Sequence, residues 1–531
     1  MLNVIPYPSG RVQELPGKFI MPGSLGVELA EFESWCVDAF AIRMGQKIGG
    51  EVWLRLEKDM AIPEEGYLLT VAKEKITVRA SVEIGVIWAL TTLVALIDGR
   101  EVPCCSIEDA PRHVHRALSM DCVRHFFPAE EVKKIIEEIS LAKMNVLHWH
   151  LTDDQAWRIE SRKFPKLHTT SSDYFTQDEI RDIVEFAGIR GVEVVPEIDL
   201  PGHTTGILAA YPEYSCSRKE VKLAAAGGIY PVILCAGREE TFAFVEELLD
   251  EIIPLFPGNR FHIGGDEAPK SEWKKCPYCQ KKMEELGITV IEELQGYFTA
   301  RVIEILKKHG KTPICWNETL LASNAPKDIQ VQYWTLQHRI PMQQFVENGG
   351  KWIYSDMFEI YLDYPYSMSS LRKVYETEPH FGKVSFADDP NLLGLEGCLW
   401  TEHIVERSRL ENLLCPRIYA LAELNWCGRR NYKEFKSRLK VFISTKLHQG
   451  ICYTPEDWWE PKGKLRRKEA IDYFVKINSM PPEVKAQTVD AAAPNKEFAS
   501  SFMSKFFQPL DIPALLKAMN MANDERKKTL A

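Results

Sequence analysis

The sequence predicts an α/β protein: a (β/α)8 TIM barrel with a small N-terminal α+β domain and a C-terminal helical extension. From residue 112, strand-like and amphipathic helical segments alternate over roughly 300 residues, which suits a (β/α)8 barrel. Nearly every predicted strand ends in polar or aromatic residues. No glycine-rich phosphate loop follows the first strand, as a dinucleotide-binding doubly wound sheet would require. We expect domains at residues 1–110, 111–455 and 456–531.

The N-terminal domain is predicted from short strand-like runs and one apolar helix. The runs EVWLRLE, GYLLTVA and KITVRAS alternate apolar and polar residues, and residues 84–98 form an apolar helical stretch. At the other end, the chain beyond residue 450 becomes hydrophilic and helical in pattern. The sequence assigns no role to this extension.

The barrel prediction depends on eight strand candidates with amphipathic helices between most of them. The strands are expected at residues 117–123, 145–151, 192–200, 260–266, 312–318, 329–334, 351–356 and 393–400. The clearest helices are expected at residues 129–143, 177–190, 239–253 and 293–310. The carboxyl ends of barrel strands converge on one face, where active sites lie. The polar residues at these ends should therefore meet.

The most informative feature is an acidic pair, Asp266 and Glu267, directly after Gly264 and Gly265. Adjacent carboxylates repel each other, and glycines permit close approach to the backbone. Stabilisation of a helix N-terminus would explain one acid, but neither the glycines nor the convergence with other strand ends. The pair favours acid–base catalysis, of which glycoside hydrolysis is the natural example.

Aromatic residues dominate the remaining strand ends. Tryptophans are often simply core residues, but flat aromatic faces also stack on the C–H faces of sugar rings, while carboxylates accept hydrogen bonds from hydroxyls. In this sequence the two types occur together near the predicted barrel mouth, as Trp316, Trp334, Tyr361 and Trp400 beside Glu318, Asp363 and Glu402. This mixture predicts a pocket for a pyranose.

A metal centre is the competing interpretation. His148 and His150 would share one face of their strand, as two ligands of one metal must. Further ligands would have to come from Asp199, His203 or Asp266. The alternative is that both histidines bond internally and hold Asp153 in place. We prefer the second interpretation because aromatic residues dominate the other strand ends.

The cysteines do not predict a metal site. Thirteen of them, an odd number, are scattered along the chain, which suits free thiols in a reducing cytosol better than a disulfide framework. The single CxxC motif, CPYC at residues 276–279, is a weak signal because no second pair occurs at zinc spacing. We expect this motif only to fix the loop after the acidic pair, and we expect neither a metal nor a cofactor.

Charge and hydropathy exclude several classes of partner. The net charge is −10 with no long basic run, which argues against binding to nucleic acid or to an anionic membrane. The longest apolar stretch, residues 86–97, is too short to span a bilayer. The first ten residues lack the features of a signal peptide, so we expect a cytoplasmic protein, or a secreted one if a leader has been lost. A homo-oligomer is compatible with the sequence.

Several motifs in order along the chain resemble the family-20 glycoside hydrolases, the β-N-acetylhexosaminidases. They are HWHLTDDQAW at 148–157, EIDLPGH at 197–203, HIGGDE at 262–267 and GCLWTEH at 397–403. Residues 66–93 are similar to the end of that family's small N-terminal domain, and the resemblance continues to about residue 455. Residues 463–531 fall outside it.

The resemblance implies three catalytic residues. Glu267 would be the general acid and then the base that activates water. Asp266 would orient the substrate's own 2-acetamido group, whose carbonyl oxygen attacks C1 to form an oxazolinium ion. Tyr361 would donate a hydrogen bond to that oxygen. The family is an exception to the rule relating carboxylate separation to stereochemistry, and two displacements at C1 imply retention.

The resemblance also implies a set of substrate-binding residues. Trp316, Trp334 and Trp400 would enclose the acetamido methyl and the ring. His203 and Asp153 would support the acid. Arg124, Asp363 and Glu402 would hold the outer hydroxyls and close the end of the pocket, which implies exo-cleavage of one terminal β-linked GlcNAc or GalNAc from an oligosaccharide or glycan.

A non-catalytic sugar-binding relative is a further alternative to hydrolysis. Such a protein would keep the pocket and lose the chemistry. The presence of Asp266, Glu267 and Tyr361 argues against it, because a lectin has no need for an acid beside an acetamido-orienting carboxylate.

Overall fold

The computed structural model describes residues 2–428 and 431–477. These residues form a six-stranded sheet with helices, followed by a closed eight-stranded parallel barrel surrounded by helices. The predicted fold class is therefore confirmed. Of the predicted C-terminal extension, residues 478–531 lie outside the described residues. In the described part of the chain, no helix has both the length and the apolar character needed to cross a bilayer.

The N-terminal sheet has the strand order β1-β6-β4-β5-β3-β2. Its strands are β1 (Val12–Ile20), β2 (Val27–Glu28), β3 (Leu54–Lys58), β4 (Tyr67–Val71), β5 (Ile76–Ala80) and β6 (Glu101–Asp109). Its helices are α1 (Asp38–Met44) and α2 (Glu83–Leu96). α2 is apolar on all sides and almost completely buried, because it lies between the sheet and the barrel.

The barrel strands follow one another around the ring in chain order, and the last strand closes on the first. They are β7 (His115–Asp121), β8 (Val146–His150), β9 (Glu193–Glu197), β10 (Arg260–His262), β11 (Thr312–Trp316), β12 (Gln330–Tyr333), β13 (Lys351–Tyr354) and β16 (Leu392–Leu399). The short pair β14 (His380–Phe381) and β15 (Val384–Ser385) lies in the connection before β16. Each of the eight predicted strands overlaps one barrel strand.

Helices make most of the connections on the outside of the barrel. They are α3 (Ala129–Leu141), α4 (Lys166–Thr170), α5 (Gln177–Gly188), α6 (Thr205–Ala210), α7 (Glu239–Ile252), α8 (Ser271–Lys275), α9 (Pro277–Leu286), α10 (Ile291–Lys308), α11 (Arg339–Glu347), α12 (Leu371–Tyr375), α13 (Arg407–Leu414), α14 (Arg417–Cys427), α15 (Tyr432–Ile443) and α16 (Gly463–Ile477). The apolar faces of α3 to α15 and the outer faces of the strands form one continuous core.

One buried arginine joins the two domains. Arg116 of β7 is fully buried, and its guanidinium donates to both carboxylate oxygens of Glu65, at 3.0 and 2.5 Å. The same guanidinium lies over the rings of Trp88 and Trp426, 5.6 and 5.0 Å from their centroids. Glu65 and Trp88 belong to the N-terminal domain, whereas Trp426 lies on α14 of the barrel. The arginine therefore connects both domains through charge and stacking.

Replacing Arg116 with alanine should destabilise the protein strongly. Glu65 would keep a largely buried charge without its partner, and such losses cost about 3–5 kcal/mol. Urea denaturation followed by tryptophan fluorescence measures the change. Arg116→Lys is the matched control: it keeps the charge but loses the two-pronged contact, so its midpoint should lie between wild type and Arg116→Ala. An Arg116→Ala midpoint equal to that of wild type would contradict this role.

Candidate active site

A cavity of about 580 Å³ opens at the carboxyl ends of the barrel strands. This volume is typical of a small-molecule site. Ten of the eleven residues predicted from the sequence line it: Arg124, His203, Asp266, Glu267, Trp316, Trp334, Tyr361, Asp363, Trp400 and Glu402. The eleventh, Asp153, lies behind the wall, where it contacts Arg124 and His203. The fold thus brings together residues that are up to 278 positions apart in the chain.

The acidic pair lies in a turn rather than at the end of a strand. β10 ends at His262, so the expectation of a strand through residue 266 was wrong. Gly264 and Gly265 have φ angles of 64° and 98°, which side chains disfavour. A Cβ atom on Gly264 would also lie 1.8 Å from Oδ1 of Asp199. The glycines are needed because the chain turns sharply after β10 and packs closely against Asp199 of the neighbouring loop.

Glu267 is held in an uncommon backbone conformation by a third acid. Its φ of 44° is in the left-handed region, and its N–H donates to Oε2 of Glu318 at 2.9 Å. Burial and the charges of Glu267 and Asp266 raise the pKa of Glu318 to about 8. The Glu267 side chain is 30% exposed, so it can meet a ligand in the cavity.

Asp266 shares its environment with a second buried acid, Asp199. Burial and the charge of Asp266 raise the pKa of Asp199 well above its usual range. Burial also raises the pKa of Asp266 to about 6, while a hydrogen bond from Asp199 lowers it. Asp199 is therefore the member of this pair that stays protonated, and its Oδ1 accepts from the N–H of Gly265 at 2.9 Å. Asp266 is the member that carries the charge above its pKa.

His203, a buried histidine, lies between the acidic pair Asp266–Glu267 and Asp153. Nε2 of His203 lies 3.5 Å from Glu267 and 3.8 Å from Asp266, and Nδ1 lies 3.1 Å from Oδ1 of Asp153. Burial lowers the pKa of His203, but Asp153 and its neighbours outweigh that effect and raise the pKa well above 6.5. The imidazolium can therefore donate in both directions. Asp153 also binds Nη2 of Arg124 at 2.6 Å.

Aromatic side chains form a compact wall beside Asp266. The rings of Trp316 and Trp400 lie 6.0 Å apart, and Tyr361 lies 6.2 Å from Trp400. Trp316 is fixed from below because its Nε1 donates to Glu197 at 2.8 Å. Burial raises the pKa of Tyr361 well above 10, so its hydroxyl remains a donor at any working pH. Trp316, Trp400 and Tyr361 thus form an apolar box that carries one protonated phenol, the hydroxyl of Tyr361.

Charged and polar groups close the far end of the cavity. Arg124 lies over the ring of Trp400, 5.1 Å from its centroid, and Glu402 and Asp363 line the same end. Burial raises the pKa of Asp363 and that of Glu402. Within the described residues, Oδ1 of Asp363 and Nε1 of Trp334 lack a hydrogen-bond partner. The hydroxyl groups of a ligand would supply the missing hydrogen-bond partners of Asp363 and Trp334.

The two histidines of the metal interpretation lie below the cavity rather than in its lining. Nδ1 of His150 contacts Glu197 at 2.5 Å, and His148 bridges Glu197 and Glu396 at 3.1 and 2.7 Å. His262 contacts the same Glu197 at 3.0 Å. Ligand atoms of His148, Glu197 and His262 lie close enough together to hold a metal ion. All three residues are buried below the cavity, however, so an ion bound there could not contact a ligand in the cavity. The geometry favours internal bonding.

Several residues of the site have a role that the sequence did not indicate. The sequence placed Glu318 in the predicted pocket and Asp199 at a strand end, but it did not show that Glu318 binds the N–H of Glu267 or that Asp199 binds the N–H of Gly265 beside Asp266. Tyr364, His403 and Tyr473 also line the cavity. Tyr473 comes from α16, in the extension whose role the sequence did not indicate, and its ring packs edge-on against Tyr364 at 5.8 Å. No local pattern around Tyr473 indicates this contact.

Solved structures of two enzymes share this architecture. The β-N-acetylhexosaminidase of Bacteroides fragilis superposes with a TM-score of 0.78 at 28% identity, over 85% of this chain and 97% of that one. The exo β-N-acetylglucosaminidase of Vibrio harveyi, solved in complex with N-acetylglucosamine, gives a TM-score of 0.74 at 28% identity, over 85% and 78% of the two chains.

Sequence comparisons agree with the structural ones. A β-hexosaminidase of Porphyromonas gingivalis is 33% identical over 459 residues, which cover 78% of this chain and 57% of the relative. A β-hexosaminidase of Vibrio furnissii is 30% identical, over 79% of this chain and 76% of the relative. The chain thus spans little more than half of the first relative. Residues 2–110 match the model of glycosyl hydrolase family 20, domain 2, and residues 113–429 match that of the family's catalytic domain. The chain therefore belongs to glycosyl hydrolase family 20.

Proposed function

We propose that this protein is an exo-acting, retaining β-N-acetylhexosaminidase that removes terminal β-linked GlcNAc or GalNAc by substrate-assisted catalysis. One observation carries the proposal. An apolar box of aromatic rings lies beside an oriented carboxylate, Asp266, and a protonated phenol, Tyr361. Each of these groups matches one part of an N-acetyl group. The aromatic rings would contact the methyl, Asp266 would accept from the N–H and Tyr361 would donate to the carbonyl oxygen.

The arrangement fits a nucleophile supplied by the substrate. Asp266 accepts the acetamido N–H and Tyr361 donates to the carbonyl oxygen, which directs that oxygen at C1. The oxygen forms a bond to C1 while the bond to the glycosidic oxygen breaks and Glu267 gives its proton to the leaving group. The positive charge on the resulting oxazolinium lies next to Asp266, which stabilises it. Water then attacks C1 as Glu267 takes a proton from it, and the acetamido group is restored.

The closed end of the cavity supports removal of one terminal sugar. Arg124 is held by Asp121 and Asp153 at 3.2 and 2.6 Å, so its guanidinium is fixed in place. Together with Glu402 and Asp363 it presents charged groups where the ring hydroxyls of a terminal sugar would lie. A sugar chain continuing beyond that end would have to displace these buried groups.

Hydrolysis of nitrophenyl glycosides tests the proposal. The wild type should hydrolyse nitrophenyl β-GlcNAc in the presence of a chelator and leave nitrophenyl β-glucoside intact. Asp266→Asn should lower kcat by about 10²–10³-fold, because it removes the charge that orients and stabilises the acetamido group. Glu267→Gln should lower kcat by about 10²–10⁴-fold on chitobiose, and much less on nitrophenyl substrates, whose leaving group needs little acid assistance.

Glu284→Gln is the matched control for the loss of one carboxylate, because Glu284 is exposed on α9 and does not line the cavity. Its kinetics should equal those of wild type. Equal turnover of the glucoside and the acetamido sugar would indicate a carboxylate nucleophile and overturn the role of Asp266. Sugar binding without turnover of either substrate would make the protein a binding relative.

The pH profile of kcat/KM should fall on its acidic side as Asp266 becomes protonated, and this fall forms the acidic limb of the profile. This carboxyl has a pKa of about 6, so its catalytic charge is present above that pH and is lost as the pH falls through it. The value of kcat/KM for nitrophenyl β-GlcNAc should therefore decline below pH 6, by about tenfold per pH unit at the limit. Stopped assays across the pH range measure this limb.

Two substitutions at Asp199 test the origin of the limb. Asp199→Ala removes the hydrogen bond that lowers the pKa of Asp266, so the limb should move to higher pH. Asp199→Asn is nearly isosteric with the neutral acid and keeps an N–H donor, so its limb should stay near that of wild type. Superimposable profiles for wild type and Asp199→Ala would contradict this pairing of Asp199 with Asp266.

A further inference from the structure

Four cysteines from two separate segments of the chain meet in the structure. Cys216 and Cys235 lie in the long connection between α6 and α7, and Cys276 and Cys279 lie at the start of α9. An antiparallel bridge between Ser215 and Leu234 brings the first two together. The sequence showed only the CPYC pair, because the other two thiols are 41 or more residues away and 19 residues apart.

The spacing of the sulfurs is that of a tetrahedral thiolate site. All four Sγ atoms lie within 4.8 Å of one another. The distances are 3.7 Å from Cys216 to Cys279, 3.8 Å from Cys235 to Cys276 and 3.7 Å from Cys235 to Cys279. Four thiolates about 2.3 Å from one zinc ion would be separated by about 3.8 Å. The same distances are too long for disulfide bonds, whose S–S length is about 2.0 Å.

The surroundings also suit a negatively charged metal–thiolate centre. Arg238 is 8% exposed, and its Nε has no hydrogen-bond partner among the described residues. Its Nη2 donates to the carbonyl of Ser215 at 2.9 Å, next to Cys216. A Cβ atom on Gly237 would lie 2.2–2.4 Å from the peptide that joins Tyr278 to Cys279, so the two cysteine-bearing loops touch through their backbones. A buried guanidinium and closely packed peptides stabilise thiolates in such centres.

We propose that Cys216, Cys235, Cys276 and Cys279 bind one structural Zn²⁺ ion. Four thiolates and no open position are characteristic of a structural site rather than a catalytic one. Three of the thiols are buried and Cys216 is partly exposed, which gives the ion a route into the site. The site does not depend on the proposed hydrolytic activity.

The ion would fasten two segments that flank the cavity. The connection from Cys216 to Cys235 contains the cavity-lining residues 225–228, and α8 follows Glu267 by only four positions. A hydrogen bond of 2.9 Å from Nε1 of Trp273 on α8 to the carbonyl of Leu234 already joins the same two segments. Loss of the ion should therefore loosen the cavity wall without touching Asp266 or Glu267.

Metal analysis of the purified full-length protein, kept reduced and freed of loosely bound metal by gel filtration, tests the site. We expect about one zinc per chain, released when a mercurial reagent titrates the thiols. Reconstitution with Co²⁺ should give the intense visible bands and the thiolate-to-cobalt charge-transfer band of a tetrahedral sulfur site. These readouts do not require activity.

Matched cysteine variants separate this cluster from the other thiols. Cys276→Ser/Cys279→Ser should lose the zinc and unfold at lower temperature, whereas Cys427→Ser/Cys452→Ser, which removes two thiols outside the cluster, should keep it. In the first variant KM should rise more than kcat falls. Four free thiols in wild type with no metal would overturn the proposal, as would disulfides between these cysteines on peptide mapping. Iron in place of zinc would overturn the assignment of the ion.

Discussion

The interior of this barrel depends on one buried carboxylate, Glu197, at the end of β9. It receives contacts from His148, His150 and His262, and the carboxylate of Glu396 lies on the far side of His148. Burial alone would raise the pKa of Glu197, but the histidines lower it well below its usual range. The two carboxylates likewise outweigh burial and raise the pKa of His148 to about 10. The charged carboxylates and the histidines therefore stabilise one another in place of the water that each loses on burial.

This charged layer determines the geometry of the cavity above it. Glu197 fixes the indole of Trp316, which forms part of the aromatic wall, and His150 contacts Asp153, which positions both Arg124 and His203. Trp316, Arg124 and His203, which line the cavity, are thus each held by a buried carboxylate. Such support holds side chains in one orientation before a ligand arrives, which is the main source of electrostatic stabilisation in enzyme sites.

The loops around the cavity are held by different means. Glycines allow the turn that carries Asp266 and Glu267, and the acids Asp199 and Glu318 hold that turn in place. Another part of the wall, residues 225–228, comes from a long connection with little regular structure, and long connections of this kind need additional constraints to adopt one conformation. The cysteine cluster supplies such a constraint at the point where this connection meets α8 and α9.

The sequence by itself predicted the barrel and the N-terminal sheet, and it indicated that polar and aromatic side chains at the strand ends meet on one face of the barrel. Those predictions succeeded because hydrophobic periodicity and strand order are local signals, and parallel closure brings all carboxyl ends to one face. Only the tertiary structure decided that Asp199 lies buried beside Asp266, that Tyr473 lines the cavity, and that Cys216 and Cys235 meet Cys276 and Cys279. These features depend on contacts between residues far apart in the chain, for which local sequence spacing carries no signal.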